Sequence, residues 1–362
     1  MEQADHLARL PFAVRAVALM PDAHVGYGMP IGGVLATSGV VVPNAVGVDI
    51  GCGMTSSLLD MPLAYATRAR LKDGLGAIRR VVPVGFAHHQ LARPLLWTPG
   101  GPAGEAEAKK ATQQVGTLGG GNHFIELQAD NGGGFYVTIH SGSRNVGFRV
   151  ADHYNRIAKA LNGRWHVAVP ADWDLAFLPT ASDEGAAYVA EMTACVEFAR
   201  LNRAAMMDSV LLALSEAWNI DLVEVDRLDV AHNSASMEHH NGRDVMVHRK
   251  GATRARDGER GIIPGSQGTH SYRVAGKGNL LSWQSCSHGA GRRMGRKQAE
   301  RTLDLADEQR KLDEAGVLHA VRGKGDLDEA PGAYKSIEEV MANQTDLVDI
   351  VTALRPLAVL KG

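Results

Sequence analysis

The sequence predicts an α+β fold in one large domain. Three observations predict it. Strand-like and helix-like segments are intermixed without the regular βαβ alternation of a doubly wound sheet. The 41 glycines gather around polar motifs and form no repeat, as expected of tight loops that let backbone approach a ligand. No stretch has linker-like composition, and the chemistry-bearing motifs run from 49 to 288, so residues 1–362 are expected to form a single domain.

From the N-terminus, β-branched runs at 31–37, 40–42 and 46–50, separated by glycine turns, read as strands. A helix is expected over 62–80, carrying Arg68, Arg70, Lys72, Arg79 and Arg80. Pro94, Pro99, Gly100, Gly101 and Pro102 mark a loop. Strands at 124–127 and 135–140 flank the turn Asn131-Gly132-Gly133-Gly134. Apolar periodicity then predicts helices over 146–161 and 184–217. Short strands are expected between 228 and 274, followed by a charged helix over 293–312 and another over 336–347.

The composition is that of an ordinary globular protein, with 45% hydrophobic and 22% charged residues. A net charge of −2 provides no global pull toward nucleic acid or membrane, so a polyanion site must be a local patch. The three cysteines, Cys52, Cys195 and Cys286, argue against a disulfide scaffold and for a reducing compartment. The sequence shows no leader and no apolar run of membrane-spanning length, and a cytoplasmic protein without a membrane partner is expected.

Five segments wrap a His, Asp or Cys in small residues. They are Val48-Asp49-Ile50-Gly51-Cys52-Gly53, Gly119-Gly120-Gly121-Asn122-His123, His140-Ser141-Gly142-Ser143-Arg144, Ala231-His232-Asn233 and Ser287-His288-Gly289-Ala290-Gly291. Asp49 and Cys52 share a turn that Gly47, Gly51 and Gly53 let fold around an ion. With His123, His140 and His232 they make a donor set of one carboxylate, one thiolate and three imidazoles. That is enough for two divalent ions if one ligand bridges. Thiolate and imidazole favour Zn, while carboxylate and water admit Mn. The chain has 15 histidines, and His6, His88, His89, His153, His166 and His319 read as ordinary surface or core side chains. Cys195, within an apolar helical stretch, reads as core, and Cys286 as a thiol without a direct chemical role.

Beyond these donors, a long series of motifs resembles the RtcB family, the GTP- and manganese-dependent RNA ligases. The matches include residues 20–26 (MPDAHVG), 43–54 (PNAVGVDIGCGM), 116–126 (GTLGGGNHFIE), 140–144 (HSGSR) and 231–233 (AHN). They continue through 247–255 (VHRKGATRA), 264–266 (PGS), 288–292 (HGAGR), 328–334 (DEAPGAY) and the terminal Lys361-Gly362. The resemblance runs in order over nearly the whole chain. It implies an α+β domain with mixed and antiparallel sheets and flanking helices around a central metal cleft.

Roles follow from the resemblance residue by residue. Asp49, Cys52 and His123 would hold one Mn ion, and Cys52, His140 and His232 the second. His288 would be the nucleophile that takes GMP from GTP. Asn122, Glu126, His232, Asn233, Pro264, Gly265, Ser266, Gln267, Ser271, Gly289, Ala290, Gly291 and Lys361 would surround the guanylate. The implied reaction joins RNA 3′-phosphate or 2′,3′-cyclic phosphate ends to 5′-hydroxyl ends, in tRNA splicing or RNA repair. The implied partners are RNA and GTP, with archease as the accessory protein that activates some members. Asp22 and His24 are assigned to loop structure beside the site.

For the RNA side, residues 243–260 carry Arg243, Arg249, Lys250, Arg254, Arg256 and Arg260 against Asp244, Asp257 and Glu259. Arg292, Arg293, Arg296 and Lys297 form a second cluster. Arg144, Arg249 and Lys250 lie inside family motifs and are expected to touch RNA or phosphate, whereas Arg296 and Lys297 read as a solvated face. Two positions depart from the family pattern: Gln267 stands where Met is common, and Gly295 where Ser often is. Two rival readings are a metal-dependent RNA phosphoesterase and a non-catalytic RNA-end binder. Neither needs a guanylylated histidine, and the sequence keeps His288, Lys361 and all five metal ligands.

Overall fold

A computed structural model describes residues 2–362. The first third holds α1 (Glu2–Ala8), β1 (Ala18–His24), β2 (Ile31–Thr37), β3 (Val40–Val41), β4 (Gly53–Asp60), α2 (Arg68–Val81), α3 (Pro102–Glu105) and α4 (Ala108–Gln114). The middle holds β5 (Phe124–Asp130), β6 (Phe135–Ser141), α5 (Arg144–Arg164), β7 (Leu178–Pro179), α6 (Asp183–Trp218), β8 (Val223–Ala231), β9 (Asn233–His240) and β10 (Arg243–Lys250). The rest holds β11 (Ala252–Arg254), β12 (Arg260–Ile263), β13 (Ser271–Gly276), β14 (Ser285–Ser287), α7 (Arg296–Thr302), α8 (Leu305–Glu314), α9 (Ile337–Ala342) and β15 (Val348–Lys361).

The architecture is α+β, as the irregular alternation predicts. A seven-stranded antiparallel sheet runs β12-β13-β15-β5-β6-β4-β8, and a four-stranded antiparallel sheet runs β1-β2-β10-β9. Helix α6 backs the large sheet. Its Met206, Val210 and Leu214 meet Leu71, Leu75 and Ile78 of α2 and the inner residues Ile125, Leu127, Val137 and Ile139 of β5 and β6. Farther toward its N-terminus, Tyr188, Met192 and Phe198 of α6 pack on Val146, Val150 and Tyr154 of α5. From Gly185 to Trp218 the buried residues of α6 recur every three or four positions, the one-sided stripe of an amphipathic helix. Ser182 caps it, accepting from Gly185 N–H at 3.1 Å.

Four expectations are corrected. Residues 46–50 form no strand: Pro43–Ala45 is a 3₁₀ turn, and Gly47 and Gly51 take φ of +97° and +76°, which bends the segment into a loop. The helix expected over 293–312 is two, because Asp304 stops the first and caps α8 through Asp307 N–H at 2.9 Å. The helix expected over 336–347 ends at Ala342. The chain end, which carried no assigned element, is the long strand β15 in the middle of the large sheet. Gly295 lies at the N-cap of α7 and supplies no capping side chain. No helix among the described residues is long and apolar enough to cross a membrane.

Candidate functional site

The loops at one end of the two sheets surround a cleft of about 620 Å³, within the size range of small-molecule and cofactor sites. Each chemical side chain reaches it from the end of a regular element. Asp49 and Cys52 stand on the loop before β4, His123 directly before β5, and His140 at the end of β6. His232 sits between β8 and β9, and His288 follows β14. Backbone bonds lock these ends together: His232 N–H donates to Cys52 O at 2.8 Å, and Gly51 N–H to Asn233 O at 2.7 Å.

The five donors predicted from the sequence converge. Cys52 Sγ lies 3.5 Å from His123 Nε2 and 3.2 Å from His140 Nε2. His123 Nε2 is 3.1 Å from Asp49 Oδ2, and His140 Nε2 is 3.4 Å from His232 Nε2. The ligand atoms of Cys52, His123 and His140 all fall within 4.8 Å of one another, a group able to hold a metal ion. The tautomers favour this. His123 Nδ1 donates to Leu118 O at 2.9 Å and His140 Nδ1 to Asn122 O at 3.1 Å, which leaves both Nε2 atoms as lone-pair donors. Burial holds His140 and His232 well below the usual histidine range, so these imidazoles are neutral. Buried His232 Nδ1 has no partner among the described residues. Several lone pairs aimed at one small volume repel unless a cation or proton lies among them, and thiolate plus imidazole suits a transition-metal ion. The donor set therefore fits divalent metal. Without a cation, burial and then the Asp49 charge keep the Cys52 thiol protonated, pushing it well above the usual thiol range. A bound divalent ion reverses that preference.

His288 faces this cluster. Its ring meets that of His232 edge-on, with centroids 4.8 Å apart. Sequence reasoning left Asp22 as loop structure, but its carboxylate is fully buried beneath His288. Asp22 Oδ2 accepts from His288 Nδ1 at 2.6 Å, from His288 N–H at 3.1 Å and from Gly289 N–H at 3.2 Å. The ring is thereby fixed, and Nε2 carries the lone pair. The signal was in the chain, since Asp22 and His288 both lie in family motifs, but nothing in their 266-residue separation pairs them. Gly291 makes room for this contact: at φ +72° it passes the Asp22 backbone so closely that a Cβ would strike it.

The opposite wall is built around Glu329, a second residue that the sequence reading did not single out. Its carboxylate accepts from Lys361 Nζ at 3.2 Å, Arg292 at 3.0 Å, Arg296 at 2.6 Å and the Tyr334 hydroxyl at 2.5 Å. Burial opposes ionisation of Glu329, but Lys361 and Arg296 outweigh it and hold the carboxyl below its usual range. Three cations against Glu329 and Asp328 leave a positive surplus suited to an anion. Arg296 is thus part of the cleft wall, correcting its assignment to a solvated face; Lys297 is exposed. Beside this wall, on the strand paired with the one that carries Lys361, burial raises Glu126 to about 8, against the opposing pull of Gln128 and Lys361.

Of the remaining candidates, Asn122, Asn233, Lys250, Pro264, Gly265, Ser266, Gln267, Gly289 and Ala290 line the cleft. Asn233 also braces it, its amide reaching Asp49 O at 3.0 Å and Gly251 N–H at 2.8 Å. Gln267 donates to Glu329 O at 2.8 Å. Ser271 lies behind the wall, its hydroxyl accepting from Gln128, which in turn donates to Glu126. The expected phosphate contacts divide. Lys250 faces the cleft with Nζ on Tyr27 O and Asn44 O at 2.5 and 3.0 Å, and burial lowers it to about 8. Arg144 bonds Thr117 Oγ1 and Gly85 O beside the His123 loop. Arg249 does not fit the expectation: it is buried, paired with Glu238 at 2.5 Å and bonded to Ser285 and Trp283 O. The other basic residues of that stretch are partly neutralised, Arg254 by Glu259 and Arg260 by Asp226. Cys195 and Cys286 are core residues.

Comparison with known proteins identifies the family. A family model described as tRNA-splicing ligase RtcB matches residues 3–96 and 101–362. The chain is 34% identical to RNA-splicing ligase RtcB1 of Escherichia coli over 390 aligned positions, covering 100% of this chain and 93% of that protein. It is 34% identical to RNA-splicing ligase RtcB of Mycobacterium bovis, over 99% of this chain and 100% of the relative. A tRNA-splicing ligase RtcB from Thermococcus kodakarensis is 32% identical, over 100% and 91%.

Proposed function

This chain belongs to the RtcB family and is an RNA ligase, and from that premise we propose that it joins RNA 3′-phosphate or 2′,3′-cyclic phosphate ends to 5′-hydroxyl ends at the expense of GTP. The observation that carries the reading is His288, fixed by buried Asp22 and set against the His232 edge of the donor cluster. A ring anchored in this way beside the metal donors is placed to take a phosphoryl group as nucleophile.

In the proposed first step, His288 Nε2 attacks the α-phosphorus of GTP. A P–N bond forms, the bond to the oxygen bridging the β-phosphorus breaks, and pyrophosphate leaves. The Asp22 carboxylate opposes the positive charge that the ring acquires. An oxygen of the RNA 3′-phosphate then attacks the same phosphorus. The P–N bond breaks, RNA-(3′)pp(5′)G forms and His288 is restored. Finally the 5′-hydroxyl of the second RNA attacks the RNA phosphorus, gives up its proton to solvent and expels GMP. A cyclic phosphate enters after water opens it to the 3′-phosphate. Two Mn²⁺ ions, one on Asp49, Cys52 and His123 and one on Cys52, His140 and His232, would neutralise phosphate charge throughout.

Asn122, Glu126, Asn233, residues 264–267, residues 289–291 and Lys361 would hold the guanylate, with Ser271 acting through Gln128 and Glu126. Glu126 would accept from the guanine edge and ionise as it does so. The cation cluster at Glu329 would meet nucleotide or RNA phosphate, as would Lys250 and Arg144. Residues 1–362 act as one domain in this reading, working in the cytoplasm, where the three unpaired cysteines are at home. Archease is the accessory partner to supply in assays.

Incubation with α-³²P GTP and Mn²⁺, with archease present, tests the proposal. Acid-labile, alkali-stable label on the wild type and none on His288→Ala is expected. An unlabelled wild type that binds Mn²⁺ would overturn the ligase mechanism and favour the phosphoesterase.

A further inference from the structure

We propose that Asn202 and Arg203, neighbours on α6, are positioning residues that set the spacing of the metal ligands. The inference rests on the metal reading above. Neither residue carries a ligand atom, and both are fully buried. Their side chains leave the helix toward the loops that bear the ligands.

Arg203 ties three ligand-bearing segments. One guanidinium nitrogen donates to Gly51 O at 2.9 Å, inside the Asp49–Cys52 loop, and to Ser141 O at 3.0 Å, immediately after His140. The other two nitrogens form a bidentate pair with Asp229 at 2.7 Å each. Asp229 lies on β8, three residues before His232. A planar guanidinium fork thus holds the approaches to Cys52, His140 and His232 in one plane, a geometry that lysine cannot reproduce.

Asn202 ties the remaining ligand to the same frame. Its carbonyl accepts from Gly116 N–H at 2.8 Å and Thr117 N–H at 3.1 Å. Its amide faces Thr117 O at 3.1 Å, Gly142 O at 3.1 Å and Ser141 Oγ at 3.2 Å. Ser141 Oγ donates onward to Leu118 O at 2.7 Å, the carbonyl that also takes the His123 Nδ1 proton. A continuous path of hydrogen bonds therefore runs from Asn202 to the tautomer of His123. Close backbone contact completes the docking, since a Cβ on Gly51 would lie 2.8 Å from Val196 Cα of α6. One helix face serves as the template on which loops from 49–52, 116–123, 141–142 and 229–232 are registered. Outer groups of this kind alter metal affinity by about 10- to 100-fold.

The test compares Mn²⁺ affinity, by titration calorimetry, with metal-free thermal stability for Asn202→Ala, Arg203→Lys and Met207→Ala. Met207 is a buried core residue of the same helix. Asn202→Ala and Arg203→Lys are expected to weaken Mn²⁺ binding by about 10- to 100-fold. Met207→Ala is expected to lower the metal-free Tm while leaving the affinity within about twofold. Should the first two fail to fold, Asp229→Asn loosens only the bidentate pair and is expected to weaken Mn²⁺ several-fold. Folded variants with wild-type affinity would overturn the positioning role, as would a Met207→Ala protein that loses as much affinity as they do. A wild type that binds no Mn²⁺ would overturn the metal reading itself, and this inference with it.

Discussion

At the scale of the residue, the cleft depends on pairs that lie far apart in the chain. Asp22 beneath His288 is the clearest, and Asp22→Asn isolates its charge. The two backbone N–H donors fix an acceptor at that position, so an amide oxygen can keep the ring in place while the carboxylate charge is lost. Guanylylation by Asp22→Asn is expected to slow by up to about 10⁴-fold, the loss seen when the carboxylate behind a catalytic histidine becomes an amide. Single-turnover labelling measures it. Glu126 supports a pH prediction. Its folded value of about 8 lies above the ordinary 4.5, so between these values the folded state binds the extra proton. Stability without nucleotide should therefore fall as pH rises from about 4.5 to 8. Urea midpoints across that window should decline for the wild type and stay flatter for Glu126→Gln. The ligand residues were legible because their types and glycine settings are unusual. Asp22, Glu329 and the inward turn of Arg249 were not: Asp22 meets a partner 266 residues away, and Glu329 and Arg249 meet partners on other elements, so neither situation leaves a local pattern.

At the scale of the element, long periodic segments were readable and short ones were not. Helices α5 and α6 follow their apolar spacing to within a few residues. Residues 46–50 misled because Val46, Val48 and Ile50 alternate like a strand, whereas two left-handed glycines turn them into the ligand loop. Gly51→Ala tests that loop. At φ +76°, with the α6 backbone 2.8 Å from a would-be Cβ, alanine is strained twice over. We expect a loss of more than about 1 kcal/mol in chemical denaturation, together with weaker Mn²⁺ binding. Ser182→Ala, which removes the α6 cap, should lose about 1 kcal/mol and leave Mn²⁺ affinity unchanged.

At the scale of the whole molecule, donors from residues 49, 52, 123, 140 and 232 meet in one place only when both sheets and α6 are assembled. Metal binding and folding must then be linked. Free Mn²⁺ at about 100 times its dissociation constant should add about 2.7 kcal/mol of stability, read as a rise in Tm. Chelator should reverse the rise, and Cys52→Ala should abolish it.

The placement of β15 has a consequence for biosynthesis. Residues 348–361 are translated after all their neighbours in the large sheet, yet they lie between β13 and β5 in its interior. A nascent chain that has emerged only as far as residue 347 therefore presents two unpaired strand edges facing a gap. Such edges invite pairing with other chains. The sheet cannot be built in the order in which it is read from the messenger. Its closing step is an insertion, and the emerging chain is exposed to aggregation or chaperone capture until β15 enters.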